Sequence, residues 1–496
     1  MTLTLSLVRN PHSRAIMLAV LLCALVVLAL VQADTRRSGL TVTHVTLGNS
    51  PATIYRPSAT EPLPLIVVAH GFGGSRQMME PISTTLARAG HVVVSFDFLG
   101  HGRNTGAMSR DVTRIDGTTK GLVEQTGAVI KDALLLDGVS GDLSLVGHSM
   151  ATDIVIRAAQ DRSDVLSVAA ISMYSDAVTQ EHPARLLIVS GARETRLRTV
   201  ALRAVHQIDP AGVEGQTVGA GPIKRRAIAA PGVGHVGVLY APITQTELVA
   251  WIGGTAVTAK RGGLWTIAAL AAMLVLVWLI SRFLPRQTRP SPADLPVWAF
   301  ALSLAGPAAI AGALAVVTTG AGLAGFAGFL VLAVFFGAYG ITQIALLWRY
   351  GRRPSPIDWR ASAILAVWGL AFALILDRFG AAFLPTGPRW TILAALMLGA
   401  LPFILADGAL LDRAGILRRL AARVVPLVAL SLVMVIRPTE VGLMFTTLPV
   451  LLLFWVVYGS AGRILGQAGN GPVAPALALW LAWAIAASTP LFDAVL

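Results

Sequence analysis

Long apolar runs are the feature of this sequence that most limits how the chain can fold. One run covers residues 15–33, and the others follow residue 263. We place the later ones near residues 264–281, 296–317, 321–348, 361–376, 391–406, 424–436, 443–459 and 475–492. A helix needs about 20 apolar residues to cross the hydrocarbon core of a membrane. The sequence therefore predicts an N-terminal signal anchor or signal peptide in residues 1–37 and a C-terminal membrane domain of about eight helices in residues 256–496.

The net charge of the chain is +13, which would fit a nucleic-acid partner if the basic residues were clustered on one domain. Residues 34–261, however, contain 22 Lys and Arg and 19 Asp and Glu, so this part is nearly neutral. Most of the excess lies in short loops between apolar runs, which is typical of a membrane-topology signal. We therefore expect a lipid bilayer and no nucleic acid as a partner, whereas the oligomeric state stays open.

The arginines between the apolar runs predict the orientation in the membrane. If the loops alternate between two sides, one side receives Arg282, Arg286, Arg289, Arg349, Arg352, Arg353, Arg360, Arg413, Arg418, Arg419, Arg423 and Arg463. The other side receives Arg378, Arg389 and Arg437, together with Arg36, Arg37, Lys260 and Arg261 from the flanks of the first loop. Arg9 and Arg14 add to the richer side, which is expected to be cytoplasmic. The region between the first two runs would then lie on the extracytoplasmic, periplasmic face of a bacterial inner membrane.

That region, residues 38–255, alternates short apolar runs with helical patterns. The predicted strands are residues 64–69, 92–96, 143–146, 168–172, 186–189 and 227–230. Such alternation is typical of an α/β domain, a mostly parallel sheet with flanking helices. Reactive groups in these domains lie on loops at the carboxyl ends of the strands.

The strand at 143–146 runs into the segment Gly147-His148-Ser149-Met150-Ala151, which precedes a helical pattern. A sharp strand-turn-helix junction of this kind lifts a serine hydroxyl above the sheet, and small residues two positions before and after the serine avoid a clash. We predict Ser149 as a nucleophile. His148 is expected to point away from the serine hydroxyl.

A serine hydroxyl needs a general base and a third group that orients the base. His235 follows the last predicted strand in a glycine-rich turn and is the candidate base. Glu194 follows the strand at 186–189 and is the candidate acid, and Asp176, after the preceding strand, stays open as the alternative. His101 lies on the loop of an earlier strand and is a weaker candidate base.

The loop His70-Gly71-Phe72-Gly73-Gly74-Ser75 follows the strand at 64–69. Its glycines allow backbone N–H groups to approach a substrate, and an oxyanion requires such donors. We predict that the backbone N–H groups of Phe72 and Met150 form an oxyanion hole. The chemistry of these groups calls for no cofactor and no metal.

In this order, the four elements resemble the α/β-hydrolase superfamily. The segments Asp97-Phe98-Leu99-Gly100-His101-Gly102 and Gly147-His148-Ser149-Met150 are similar to stretches common in that family. The resemblance covers about 220 of the 496 residues and implies an α/β-hydrolase fold and a serine hydrolase mechanism. Glu194 and Ala151 depart from the commoner Asp and Gly. The segment at Asp97 is interpreted as a structural loop.

The leading functional hypothesis is a membrane-bound serine hydrolase that cleaves ester or other acyl bonds in a small-molecule or lipid substrate. Two alternatives stay open: a transporter or flippase with the hydrolase-like domain as an accessory, and an acyltransferase that acts on a lipid or glycan. In the membrane half, Asp377, Asp407 and Asp493 fall near predicted helix ends, where we expect them to be solvated.

Overall fold

The computed structural model describes residues 11–258, 260, 262–285, 294–467 and 469–494. The chain forms two compact units. The sheet unit comprises Val31–Thr266 and Asp377–Ala382, and the helical unit comprises Met1–Leu30, Ile267–Leu376 and Phe383–Leu496. These bounds differ from the expected domains 1–37, 38–255 and 256–496. Of the basic residues that enter the topology prediction, Arg9, Arg261, Arg286 and Arg289 lie outside the described residues.

The sheet unit is built on one sheet of nine strands with the order β1-β2-β4-β3-β5-β6-β7-β9-β8. The strands are β1 (Leu40–Leu47), β2 (Ser50–Pro57), β3 (Leu63–Ala69), β4 (Val92–Phe96), β5 (Val139–His148), β6 (Val165–Ile171), β7 (Arg185–Gly191), β8 (Thr217–Val218) and β9 (Lys224–Ala230). All six predicted strands are present and pair in parallel. Their carboxyl ends therefore meet along one edge of the sheet.

Three antiparallel strands, β1, β2 and β8, were not predicted. β1 and β2 form a hairpin whose turn contains Gly48 and Asn49, both with positive φ. Two consecutive left-handed residues are typical of the tightest hairpin turns. β1 alternates polar and apolar residues and is largely exposed, so its sequence lacks the continuous apolar run of the central strands.

Helices cover the central strands. In the sheet unit they are α2 (Glu80–Arg88), α3 (Lys120–Leu134), α4 (Met150–Gln160), α5 (Thr195–His206) and α6 (Pro242–Ile252). One apolar cluster between sheet and helices includes Ile66, Leu86, Leu187, Leu248 and Trp251, all of which are buried. Burial on this scale holds the strand ends, and the loops that follow them, in fixed positions.

The remaining helices are long and apolar. α1 (Pro11–Asp34) is the first helix of the described residues, and the others are α7 (Gly262–Ser281), α8 (Val297–Val317), α9 (Phe329–Arg349), α10 (Trp359–Phe379), α11 (Arg389–Leu411), α12 (Ile416–Ile436), α13 (Thr447–Phe454), α14 (Ser460–Leu465) and α15 (Ala474–Ser488). α13 and α14 are joined by a π-helical turn, so Gly442–Leu465 is one continuous helical stretch. By length and hydropathy, nine helical stretches of the described chain could cross a membrane, which is consistent with a multi-pass membrane protein.

Three expectations for the apolar half were wrong. The run at 321–348 is helical only from Phe329, because Ala324, Gly325 and Gly328 adopt positive φ in the turns before it. Asp407 is buried instead of solvated, since it forms an ion pair with Arg423 on the next helix. Asp493 is exposed, as expected.

Asp377 was also expected to be solvated, and it is buried. It belongs to the short segment Asp377–Ala382 of the sheet unit and forms an ion pair with Arg103 at 2.6 Å. In the same segment, the N–H of Ala382 donates to Ser75 Oγ at 2.9 Å. This segment therefore contributes to the sheet unit although it is more than 100 residues distant in sequence from the rest of that unit.

Candidate active site

Ser149 lies at the junction between β5 and α4 with φ 54° and ψ −120°. A positive φ costs about 1–3 kcal/mol in a residue other than glycine, so packing must hold it. The Ser149 N–H donates to the carbonyl of Ile171 at the end of β6. A Cβ on Gly147 would lie 2.6 Å from the carbonyl oxygen of Ala151. The turn therefore requires a glycine at 147, while the Ala151 side chain is accommodated and buried.

His235 makes a hydrogen bond to Ser149 through Nε2, at 2.8 Å from Oγ. Its other ring nitrogen, Nδ1, lies 2.5 Å from Glu194 Oε1. Because an ionised carboxylate only accepts, the Nδ1 atom carries the proton and Nε2 is left to accept from the serine hydroxyl. The structure thus brings Ser149, His235 and Glu194 into one continuous hydrogen-bonded chain.

Backbone contacts join the loops of His235 and Glu194. The Ala192 N–H donates to the carbonyl of Ala230 at 2.8 Å, and the Arg193 N–H donates to the carbonyl of Val233 at 3.1 Å. A Cβ on Gly191 would lie 2.7 Å from the Val233 carbonyl oxygen, so glycine allows this close approach. The parallel pairing of β7 and β9 therefore continues beyond the strand ends and aligns the two side chains.

Glu194 is held as an anion. Burial favours its neutral form, but hydrogen bonds from His235, the Ser172 hydroxyl and the Gly191 N–H outweigh burial and lower the pKa of this carboxyl below its usual value. An ionised carboxylate in this position stabilises a protonated imidazole. The His235 side chain is 45% exposed, so the reacting end of the chain is open to a substrate, whereas Glu194 is 7% exposed.

The alternative acid, Asp176, is not brought to His235. Its side chain is 85% exposed and forms an ion pair with Arg157 at 2.5 Å. His101 is not part of this set of hydrogen-bonded side chains either. It is buried, its Nδ1 lies 2.9 Å from the carbonyl oxygen of Leu99, and its ring packs against Phe72.

The loop with Phe72 lies beside Ser149. A Cβ on Gly71 would lie 2.9 Å from the Ser149 Cβ, and the Gly74 N–H closes a turn on the Gly71 carbonyl at 3.0 Å. Phe72 is one of the two central residues of this turn. Met150 is the first residue of α4, where a backbone N–H has no acceptor inside the helix.

His70 links this loop to the segment that follows β4. It is fully buried, its Nε2 accepts from the Phe98 N–H at 3.1 Å, and its Nδ1 donates to the Gly71 carbonyl at 2.8 Å. Burial lowers the pKa of His70, so its ring is neutral. Because Nε2 accepts from the Phe98 N–H, the single ring proton lies on Nδ1, which donates to the Gly71 carbonyl.

Asp97 occupies the loop interpreted as structural. It is buried, forms an ion pair with Arg76, and accepts from the N–H groups of Arg76 and Arg103. A Cβ on Gly102 would lie 2.4 Å from this carboxyl group. Asp97 therefore organises the backbone that follows the Phe72 loop and β4.

Two side chains of this site have contacts that were not predicted. His148 Nε2 donates to the carbonyl of His235 at 2.9 Å, and Ser172 Oγ donates to Glu194 Oε2 at 2.7 Å. For Ser172, the sequence indicates only that it comes directly after a strand, and many residues have such a position. For His148, the sequence predicts the direction away from Oγ but not the partner.

Comparisons with known proteins agree with this architecture. Residues 64–201 match the family model of the alpha/beta hydrolase fold. A search of curated proteins finds no match.

Among solved structures, the chain is similar to a Thermus thermophilus protein (18% identity, TM-score 0.31, 43% of this chain and 96% of the other). It is also similar to a dienelactone hydrolase from Anabaena variabilis (15%, TM-score 0.33, 43% and 96%) and to a bacterial membrane phospholipase A (16%, TM-score 0.32, 51% and 96%). The family match supports a hydrolase. The unit that carries Ser149 therefore has the alpha/beta hydrolase fold, and the chain joins it to an all-helical unit of long apolar helices.

Proposed function

We propose that this chain is a membrane-bound serine hydrolase that cleaves ester or other acyl bonds with Ser149, His235 and Glu194. The observation that carries the proposal is the hydrogen-bonded chain from Ser149 Oγ through both His235 nitrogens to Glu194. A hydroxyl, an imidazole and a buried carboxylate in this order perform nucleophilic acyl chemistry on several unrelated folds.

In the first half of the reaction, His235 Nε2 takes the proton of Ser149 as Oγ attacks the acyl carbon. The negative charge that develops on the carbonyl oxygen is stabilised by the N–H groups of Phe72 and Met150, each contributing about 3–4 kcal/mol. His235 then gives the proton to the departing alcohol oxygen, which leaves an acyl group on Ser149. Glu194 stabilises the imidazolium throughout.

In the second half, water replaces the alcohol. His235 takes a proton from the water as its oxygen attacks the acyl-enzyme, and the proton returns to Ser149 Oγ when the carboxylic acid departs. The groups that perform these steps are side chains and backbone amides of this chain.

The location of the enzyme is part of the proposal. Nine apolar helical stretches in the described part of the chain support integration into a membrane, and the arginine distribution supports a periplasmic hydrolase unit at a bacterial inner membrane. The substrate is expected to be a small or lipid acyl ester.

Fluorophosphonate labelling of the purified protein tests the nucleophile. We expect the wild type to be labelled and Ser149→Ala to lose the label. Ser190→Ala is the matched control, because Ser190 is buried near the site and its hydroxyl has no hydrogen-bond partner among the described residues. Absence of labelling in the wild type contradicts a serine hydrolase and favours the accessory-domain alternative.

A chain-length series of p-nitrophenyl esters, assayed on intact and permeabilised cells, tests substrate preference and sidedness. Product analysis with added acceptor alcohols separates hydrolysis from acyl transfer. Activity that requires permeabilisation of the inner membrane contradicts the periplasmic location.

A further inference from the structure

The two oxygens of the Glu194 carboxylate have different partners. Oε1 faces His235, whereas Oε2 accepts from the Ser172 hydroxyl at 2.7 Å and from the Gly191 N–H at 2.6 Å. Because both donors bind to Oε2, they hold the carboxylate in one orientation. The other oxygen then points at the imidazole.

Ser172 is held in place by strong constraints. It follows β6 directly, its side chain is fully buried, and its N–H donates to the carbonyl of Val189 at 2.7 Å. Its φ of 55° is in the left-handed region, which is unfavourable for serine. The backbone conformation and the Val189 bond together direct the hydroxyl toward the end of β7, where Glu194 lies.

A glutamate needs this support more than an aspartate would. Its side chain has one additional rotatable bond, so more orientations compete with the one that meets His235. A hydrogen bond to a charged group is also among the stronger ones. The Ser172 hydroxyl supplies both an orienting contact and stabilisation of the anion.

We infer that Ser172 is a positioning residue of the reaction, a fourth member of the chain that acts on His235 through Glu194. This inference rests on the proposed function. Ser172 does not touch the substrate or the serine nucleophile. Its hydroxyl orients the Glu194 carboxylate, and that carboxylate orients the His235 ring.

Steady-state hydrolysis of a p-nitrophenyl ester by the purified full-length protein tests the role. Ser172→Ala is expected to lower kcat by about tenfold to a hundredfold with little change in KM, as for loss of a hydrogen bond to a charged group. Ser172→Gly adopts a positive φ without strain and also lacks the hydroxyl, so the same loss is expected. Ser190→Ala removes a buried hydroxyl that has no hydrogen-bond partner among the described residues, and its kcat is expected to stay within twofold of the wild type.

A double-mutant cycle separates positioning from general structural damage. If Ser172 acts through Glu194, Ser172→Ala adds less than a twofold loss to a Glu194→Ala protein, because the partner is already absent. Wild-type kcat in Ser172→Ala, full activity in Ser172→Gly, or an additive loss in the double variant each overturns the inference.

Failure of the proposed function gives a different result. In that case the wild type itself neither hydrolyses esters nor reacts with a fluorophosphonate, and Ser149→Ala equals the wild type. Loss of activity in Ser149→Ala together with wild-type activity in Ser172→Ala overturns the role of Ser172 alone.

Discussion

His148 and His235 are joined by a hydrogen bond from a side chain to the main chain: His148 Nε2 donates to the His235 carbonyl at 2.9 Å. The residue before the proposed nucleophile thus makes a hydrogen bond to the backbone of the proposed base. Since the carbonyl only accepts, Nε2 carries the proton. His148 is almost fully buried, and burial lowers its pKa to about 4, so the ring is neutral at physiological pH.

This bond predicts different effects for two substitutions of His148. Gln places an amide N–H near the position of Nε2, so His148→Gln should retain most activity, whereas His148→Ala removes the donor. A neutral hydrogen bond contributes about 0.5–1.5 kcal/mol, which corresponds to a loss in kcat/KM of about twofold to tenfold in His148→Ala. Ester hydrolysis rates check this; equal rates in the two variants would contradict a role for the bond.

The same histidine predicts a pH-dependent stability. Its pKa falls from 6.5 to about 4 on folding, so the folded state binds fewer protons than the unfolded state between these values. Above pH 6.5 His148 is neutral in both states and does not lower the free energy of unfolding. As the pH falls toward 4, the unfolded state gains a proton and the free energy of unfolding falls by about 3 kcal/mol, at 1.36 kcal/mol per pKa unit.

Thermal unfolding of the detergent-purified protein between pH 4 and 7.5 measures this effect. Tm should fall with decreasing pH, and the fall should be shallower in His148→Gln, which does not titrate. Some slope should persist there, because burial also lowers the pKa of His70 and His91. Identical slopes in wild type and His148→Gln would disprove the assignment.

The assignment of the acid predicts a large difference between two carboxylates. Glu194→Gln replaces one carboxylate oxygen with an amide NH2, which donates. Because Ser172 and Gly191 donate to the other oxygen, the NH2 faces His235 Nδ1 and favours the wrong tautomer, and the comparable change in a serine protease lowers kcat by about 10⁴-fold. Asp176→Asn changes an exposed side chain paired with Arg157 and should leave kcat within twofold. Measured kcat for both variants tests the choice, and the reverse ranking would restore Asp176 as the acid.

The segment Asp377–Ala382 predicts that residues 31–266 alone form a weakened unit. Without the segment, Ser75 loses its donor, the Ala382 N–H, and Arg103 loses Asp377. Ser75 is the last residue of the Phe72 loop, and the Arg103 N–H donates to Asp97, which also pairs with Arg76 beside that loop. We expect the fragment to be more sensitive to limited proteolysis than the same region in the full-length protein.

The variant Asp377→Asn in the full chain isolates the ion pair and should show a smaller change in the same direction. If the fragment and the full-length protein are cleaved at the same rate, the segment has no stabilising role.

In the helical unit, the ion pair between the buried Asp407 and the partly buried Arg423 predicts an asymmetry between single and double substitutions. Arg423 also lies over the Trp455 ring, 3.4 Å from its centroid. Asp407→Leu leaves the partly buried charge of Arg423 without its carboxylate, which costs up to about 3–5 kcal/mol, whereas replacing both residues with Leu should restore part of the stability. Tm of the detergent-purified variants checks this; a double variant less stable than either single variant would be contrary to it.

Much of the architecture follows from local sequence patterns. The six central strands are continuous apolar runs because both faces of a parallel sheet are buried, and the long helices follow from apolar runs of membrane-spanning length. β1 escaped prediction because an edge strand with exposed alternate residues has no such run, and β2, although largely buried, has polar residues at Ser50, Thr53 and Arg56 that interrupt its apolar residues. The helix expected from residue 321 begins at Phe329, since the small residues before it adopt turn conformations that hydropathy does not encode.

The sequence by itself determined the candidate nucleophile and base, because Ser149 and His235 each lie in a recognisable turn directly after a strand. It left the acid open between Glu194 and Asp176, since both follow neighbouring strands and their distances to His235 depend on how the loops continue the sheet. Tertiary structure decided which carboxylate meets the imidazole. It also gave His148 and Ser172 their partners, because a hydrogen bond requires two groups within about 3 Å and the segments that carry these groups lie far apart in the chain.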